Sequence, residues 1–396
     1  MKQKMIAAFL LPSLVLSGCG SQKRSEPDTL QSSVPFVASP VSEKAATLQG
    51  DVNSDGSFDI QDIIMVQNWL LAKPDATLTD WRAADICQDE RIDVFDLCLL
   101  KRMLLYPVSD HTDLPPIKAG EVAPEKSRYT DANGDTAVIL AEFKVSEKED
   151  EQTISQGLVV IAPDGSEYVW VPTTVTALER HDFGSYFSGG GSLDSYYDET
   201  DLPEYQAMAD SVEQYGGFYI GRFEASKGDD GLPASKRITD SDSGKIWVQF
   251  SPQDTTLICE QLYADNDSVQ GFFPWGVTWD TTLEWLIDSG CKTKTEVVSD
   301  STGWGNYSND TFSEGANGRL TGQWEEAKAN NIYDLAGNNW EWTQERCGSS
   351  YVMRGGGYNL MGGSCPGDRY PAALRDPLPG NDHHPNVTFR TALYVK

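Results

Sequence analysis

The sequence predicts a multidomain chain: a small all-α module with paired acidic loops, then a larger α+β domain. Two observations carry this expectation. A twelve-residue acidic stretch occurs twice, and each copy runs into an apolar segment of helical length. Past a Pro-rich break, the chain turns to short β-rich runs, Gly-containing turns and occasional helical stretches. A length of 396 residues accommodates two or three domains.

Residues 1–19 stand outside either domain. "MKQKMIAAFLLPSLVLSGCG" has Lys2 and Lys4, then an apolar run too short to span a bilayer comfortably, as in an export signal. Its ending, Leu16-Ser17-Gly18-Cys19, resembles a bacterial lipobox. The resemblance implies a lipoprotein signal, acylation of Cys19, and a lipid anchor at the extracellular face of the cell membrane. An ordinary cleaved signal with an incidental cysteine is the plainer alternative. Residues 20–46 are rich in Ser, Pro, Lys and Glu and read as a flexible tether. Six cysteines remain, at 87, 98, 259, 291, 347 and 365; an even number permits disulfides without fixing their pairing. Cys87 and Cys98 read more simply as small apolar residues on a helical pair.

The formal net charge of −29 argues against nucleic acid, because phosphate binding needs a basic surface. It suits calcium, which takes carboxylate oxygens.

The repeat lies within residues 47–107. "DVNSDGSFDIQD" begins at Asp51 and "DICQDERIDVFD" at Asp85, an offset of 34 residues, and the aspartates recur in register: 51/85, 55/89, 59/93 and 62/96. Calcium takes six to eight oxygens, and a twelve-residue loop offers them at positions 1, 3, 5, 7, 9 and 12. Those positions hold Asp51, Asn53, Asp55, Ser57 (through its carbonyl), Asp59 and Asp62, and Gly56 allows the sharp turn. In the second loop Cys87 stands at position 3, where a thiol is a poor ligand for a hard cation, and Glu90 replaces the turn glycine. A weaker site of Asp85, Asp89, Asp93 and Asp96 is expected there.

This stretch resembles a type I dockerin. Position 12 is Asp, and no helix enters the first loop. The resemblance implies an EF-hand-type module with two calcium ions that docks onto a cohesin domain of a scaffold protein. The contact positions implied are Ile60, Gln61, Val94 and Phe95, then Gln67 and Asn68 against Lys101 and Arg102. The differences between the halves argue against two equivalent binding orientations. A calcium-rigidified spacer without a partner is the bland alternative.

Residues 108–127 are Pro-rich and read as a linker. In 128–396, "DANGDTAVILAEFKV" predicts a strand after an Asn-Gly turn, "GLVVIAPDGSEYVWVPT" a hairpin around Asp164-Gly165, and "GGFYIGRFEAS" a buried strand. "VTWDTTLEWLIDSG" predicts a helix ending at Gly290. Six blocks, "VWVP", "GGFYIGRFEAS", "WGVTWDTTLEW", "NIYDLAGNNWEWTQE", "YVMRGGGY" and "FRTALYVK", occur in the order of the formylglycine-generating enzyme (sulfatase-modifying factor) family, which this region resembles. The resemblance implies a C-type-lectin-like α+β fold. It also implies a third calcium, held by Asp334 and Glu341 through side chains and by Gly337 and Asn339 through carbonyls. Trp340 and Trp342 are expected in the core, and Arg354, Arg375 and Arg390 below the surface, paired with carboxylates such as Glu224.

The enzymes of that family hold copper(I) between two cysteines that precede an Arg-Tyr segment. Here that segment is "RYPAALR", and counting back places the cysteine positions at about Gly362 and Gly367. Cys365 is the one catalytic candidate, and a single sulfur does not give the paired coordination. The expectation is therefore a catalytically degenerate scaffold for protein or glycan recognition, with Tyr358, Asn359, Leu360, Asp382, His383 and His384 on its binding surface. An active sulfatase-modifying oxidoreductase and a diversified lectin-like receptor are the alternatives.

Overall fold

A computed structural model of the chain describes residues 48–86, 91–105, 111–183, 196, 202–239, 246–307, 320–358, 365–380 and 383–396, without the side chains of 95, 102, 103 and 105. Cys19, Cys87, Asp89, Asn359, Leu360 and Asp382 lie outside the described residues, as do the side chains of Phe95 and Arg102.

In the N-terminal module, α1 (Ile60–Leu70) and α2 (Val94–Leu105) pack on each other across a 3-10 turn at Trp81–Ala83. Asp59 caps α1, and Asp62 reaches back to the Asp59 amide, a reciprocal box that satisfies donors the first helical turn leaves free. The buried apolar residues are Val52, Ile63, Val66, Ala83, Ala84, Leu97 and Leu100. Two of these are alanines. A core this small contributes only a few kcal/mol, so modules of this size usually need a staple such as a metal. Cys98 was expected inside the helical pair, but it is exposed. It falls on the outward side of α2, one turn after Val94.

The C-terminal region begins earlier than its composition suggests. From His111 the stretch read as linker already packs: the His111 ring lies against Tyr215, and β1 (Pro116–Ile117) pairs in parallel with β2 (Ser127–Thr130). β3 (Thr136–Ile139) completes that sheet. The following strands are β4 (Lys144–Val145), β5 (Val159–Ile161) and β6 (Glu167–Pro172). Helix α3 (Pro203–Tyr215) leads into β7 (Gly217–Gly221), then come β8 (Ser226–Lys227) and β9 (Pro233–Ala234). Helix α4 (Pro252–Cys259), β10 (Val269–Phe272), α5 (Gly276–Asp288) and α6 (Lys294–Val298) come next. The last strands are β11 (Lys328–Ala329), β12 (Ile332–Tyr333), β13 (Trp340–Cys347), β14 (Ser350–Arg354), β15 (Asp376–Pro379), β16 (Val387–Phe389) and β17 (Ala392–Val395).

A six-stranded sheet, ordered β10-β17-β7-β6-β5-β4, divides the region's core. Its strands alternate, and both faces are buried. Val169, Val171, Phe218 and Ile220 face a cluster containing α3 and α5, while Tyr168, Trp170 and Tyr219 face the cluster built on β3. The last strand, β17, lies inside the sheet between β10 and β7. A four-stranded sheet, β15-β14-β13-β16, packs a third cluster that includes Trp340 and Trp342.

Loops are held to this frame by buried ion pairs. Arg354 and Arg375 share Asp280 and Glu345, all 2% exposed or less. Arg390 forks onto Glu341, and Arg222 pairs with Glu151 and Glu167. Glu224, expected as an arginine partner, instead accepts from Asn338 and Asn339. The reason is local. The Asn338-Asn339 turn delivers two side-chain amides and a backbone amide to one carboxylate, and Glu341 already occupies Arg390.

Candidate functional site

The acidic repeat is written twice in hydrogen bonds. Asp62 accepts from the Val52 amide at 3.0 Å and the Asp59 amide at 2.9 Å. At the same offset, Asp96 accepts from the Ile86 amide at 3.0 Å and the Asp93 amide at 2.9 Å. In loop one, Asp51 accepts from Asp55 and Gly56, Asn53 from Asp55, and Asp55 from Ser57. Ser54 and Gly56 adopt φ of 61° and 93° to make the turn. Asp85 lies partly buried at the start of loop two.

Calcium chemistry suits loop one. Four carboxylates, those of Asp51, Asp55, Asp59 and Asp62, fall within twelve residues, and none forms an ion pair among the described residues. Asp51 is 6% exposed and Asp62 fully buried. Burying uncompensated carboxylates is costly. Among the described residues no three His, Cys, Asp or Glu side chains gather into a metal cage by themselves. An ion in this loop therefore also uses amide and carbonyl oxygen, as calcium does.

The repeat extends to the surface of the helices. Ile60, Ile64 and Gln67 are exposed on α1, and their counterparts Val94, Cys98 and Lys101 are exposed on α2. The buried positions match too: Asp62, Ile63 and Val66 with Asp96, Leu97 and Leu100. Ile60 is 57% exposed, Ile64 50% and Val94 59%, so the repeated face carries exposed apolar surface on both helices. Gln61 is exposed and Asn68 half-buried on the same helix. Ile64 and Cys98 were missed in the sequence, although both stand one helical turn beyond a chosen contact residue. Trp69 and Leu71 add exposed apolar surface at the end of α1.

In the C-terminal region, Asp334, Glu341 and Glu224 form a buried acidic group beside the Arg390 guanidinium, with Arg237 also acting on Asp334. Asp334 accepts from the Thr321 hydroxyl and the Gly322 amide, both at 2.9 Å. Both Glu341 oxygens are taken by Arg390, at 2.6 and 3.0 Å. Asn339 sends its amide and side chain to Glu224, and the Gly337 amide donates to Gly355. Burial, opposed by Arg390, lifts Glu341 above the ordinary carboxylate range. Burial and the neighbouring acids lift Glu224 well above it, and burial lifts Asp334 despite its amide donor. Asp334, Asn339 and Glu341 thus come together, but Glu341 is committed to an arginine.

At the region's variable-looking end, Tyr358 is half-buried and donates to Asn386, His383 is exposed with Nδ1 at 2.9 Å from the Gln249 carbonyl, and His384 is half-buried. Cys365 is fully buried among Trp340, Met353 and Leu374, and burial pushes its thiol up to about 12. Such a thiol stays protonated at neutral pH. At Gly367 an added Cβ would lie 2.6 Å from the Thr302 backbone nitrogen, so no side chain fits there. The described cysteines, Cys98, Cys259, Cys291, Cys347 and Cys365, are all free.

Residues 49–105, with their paired acidic loops and helices, match the family model of the type I dockerin domain. That stretch is a type I dockerin domain, and it is followed by a region of several β-sheets with packed helices. No curated protein matches the chain. Among solved structures, "Treponema denticola variable protein 1" aligns with 68% of this chain and 99% of its own length, at 17% identity and a TM-score of 0.24, too loose a fit to assign the fold.

Proposed function

We propose that this chain is a lipid-anchored surface protein that docks, in a calcium-dependent manner, to a cohesin-bearing scaffold, and that its C-terminal region recognises a protein or glycan. The dockerin domain at residues 49–105 carries the first part. The repeated exposed face, with Ile60 and Ile64 on α1 and Val94 and Cys98 on α2, supplies the contact surface. Loop one holds calcium through Asp51, Asn53, Asp55, Asp59 and Asp62, with Ser57 adding its carbonyl. Loop two holds a second ion more weakly. Bound calcium fixes the loops that aim both helices. A scaffold of this kind would assemble polysaccharide-degrading enzymes, and acylated Cys19 would keep the assembly at the membrane.

For the C-terminal region we favour recognition over oxidation. Support comes from the buried, protonated Cys365 thiol and from Gly367, where a second cysteine has no room. Tyr358, His383 and His384 are the described part of the proposed ligand surface, and Asp334, Asn339 and Glu341 are the candidate hold for a third calcium.

The docking test is calorimetric titration of the full chain with a panel of type I cohesin modules, with calcium and then with chelator. Binding that disappears on chelation supports docking; silence across the panel in saturating calcium refutes it. A separate assay addresses oxidation. Copper(I) and a Cys-x-Pro-x-Arg peptide are supplied together, and aldehyde formed catalytically would overturn the recognition reading.

A further inference from the structure

A cleft of about 860 Å³ opens where α5 meets the turn between β2 and β3 and the segment that follows β6. This is within the size range of small-molecule sites. It lies outside the docking face and the residues assigned above to ligand recognition.

The chemistry of its wall is one-sided. Asp135, Glu179, Glu284 and Asp288 line it together with His181, and among the described residues no Lys or Arg does. None of these four carboxylates is in an ion pair among the described residues. Thr281 and Trp285 complete the α5 wall, so this helix presents positions 281, 284, 285 and 288, one continuous face, to the cleft. Thr281 is 4% exposed and its hydroxyl has no hydrogen-bond partner.

Folding alone does not favour this arrangement. Glu284 and Asp288 are four residues apart on one helix, a like-charge spacing that destabilises it. They also sit in the second half of α5, whose last turn has no basic residue. Carboxylates there oppose the helix dipole. Local rules broken without compensation mark functional positions. Burial and Asp131 already raise Asp135 above the ordinary carboxylate range, so this end of the cleft also resists further negative charge.

The acids are spread around the cleft, and no three of them form a metal cage among the described residues. A ligand with separated positive charges matches that spacing better than one compact ion. Trp285 offers an aromatic wall for an alkyl chain or an onium group. We infer that this cleft binds a small organic polycation, with ammonium or guanidinium groups carried on an aliphatic chain. Glu284 and Asp288 take one charged end, Glu179 and Asp135 the other, and Thr281 accepts a hydrogen bond between them. A free polyamine and a lysine-rich peptide share this chemistry.

The test is calorimetric titration of the full chain with spermidine at about 0.01 M ionic strength, where screening is weak. Saturable one-to-one binding that weakens with salt is expected. The double substitution Glu284→Gln, Asp288→Asn should weaken it at least about tenfold. The melting temperature should hold or rise, because a repulsive pair is gone. Asp265→Asn, at an exposed acid outside the cleft, should leave affinity unchanged. Should the double variant misfold, Glu179→Gln provides the same comparison from a loop. A capped Lys-Lys dipeptide run in parallel identifies the source: tighter binding than spermidine points to a protein side chain, weaker binding to a free amine. Absence of saturable spermidine binding overturns the inference. So does equal weakening by Asp265→Asn, which would reduce the effect to net charge.

Discussion

Replacing Asp280 with Asn tests the load carried by the buried ion pairs. Asp280 is fully buried on α5 and takes the Arg354 Nη2 at 2.6 Å, the Arg375 Nη2, and the His181 amide at 3.0 Å. Asn keeps the shape and removes the charge. Glu345 would then face both guanidiniums without Asp280, at 3.3 Å from Arg354 and 2.8 Å from Arg375. Arg354 also donates to the Leu374 and Ala373 carbonyls, and Arg375 to that of His181. Two charge-assisted hydrogen bonds at about 1.5–3 kcal/mol each give a loss of about 3–6 kcal/mol. Breaking one partner out of a buried pair costs about 3–5 kcal/mol, which agrees. Against a domain stability of about 5–15 kcal/mol this is large. Urea unfolding followed by tryptophan fluorescence reads it, since Trp69 and Trp81 are the only two of the chain's eleven tryptophans in the dockerin stretch. Burial alone would raise Asp280, but Arg354 and Arg375 outweigh it and hold the folded group below its ordinary value. Its contribution is therefore present above the unfolded value, about pH 4, and is lost as pH falls through the folded one. The gap between wild type and variant should close only on that acid side. A loss under about 1 kcal/mol at neutral pH would refute the claim that this network holds α5.

The remaining predictions are narrower. Glu151, held down to about 2 because Arg222, Ser146 and Lys148 outweigh its burial, should stabilise fully above about pH 4 and lose that contribution as pH falls toward 2; Glu151→Gln should flatten this acid limb in a melting-temperature series. Gly157 has φ 95° and an added Cβ would lie 1.9 Å from the Asn330 carbonyl, whereas Gly134 has φ 91° and open space, so Gly157→Ala should cost clearly more than the roughly 1 kcal/mol expected at Gly134→Ala, as read by urea midpoints. Ile60→Asp with Val94→Asp should weaken cohesin binding by about 2 kcal/mol or more while leaving the circular dichroism of the calcium-loaded chain unchanged. Calcium at about a hundred times its dissociation constant should stabilise the dockerin domain by about 2.7 kcal/mol, lost on chelation.

What could be read from the sequence was local. The acidic repeat needed only its spacing. The hairpin around Asp164-Gly165, the strand Gly217–Gly221 and the helix Gly276–Asp288 with Gly290 beyond it each carry their own turn or periodicity signal. Helix α3 was not anticipated. Its Tyr205, Met208, Ala209 and Val212 do follow helical spacing, but the polar residues between them hide it. Charge partners were misassigned because they are long-range: Arg354 reaches Asp280 across 74 residues and Arg390 reaches Glu341 across 49. Sequence shows that a buried arginine needs a carboxylate and not which one. The α5 cleft was equally illegible, since its acids come from separate segments and only Glu284 and Asp288 share an element.

Buried acids therefore divide by what neutralises them. Asp280, Glu345 and Glu151 have guanidinium partners and are structural. Asp131 has no such partner among the described residues, yet it accepts three backbone amides, from Asn133, Asp135 and Ile154, so amide donors can satisfy it although Asp135 lies beside it. Asp62 also accepts three amides, but Asp51, Asp55 and Asp59 crowd the same twelve residues. In the C-terminal group Glu224 and Asp334 lie beside Arg390, which is already forked onto Glu341, and Arg237 also acts on Asp334. Amides can stabilise one carboxylate at a time, but they cannot cancel repulsion among several. Density of acid without matching arginine, and not burial alone, marks loop one as the place where a bound cation would stabilise most. Asp131→Asn should therefore leave calcium-induced stabilisation untouched, whereas Asp51→Asn should reduce it, and equal effects in a thermal titration would break the distinction.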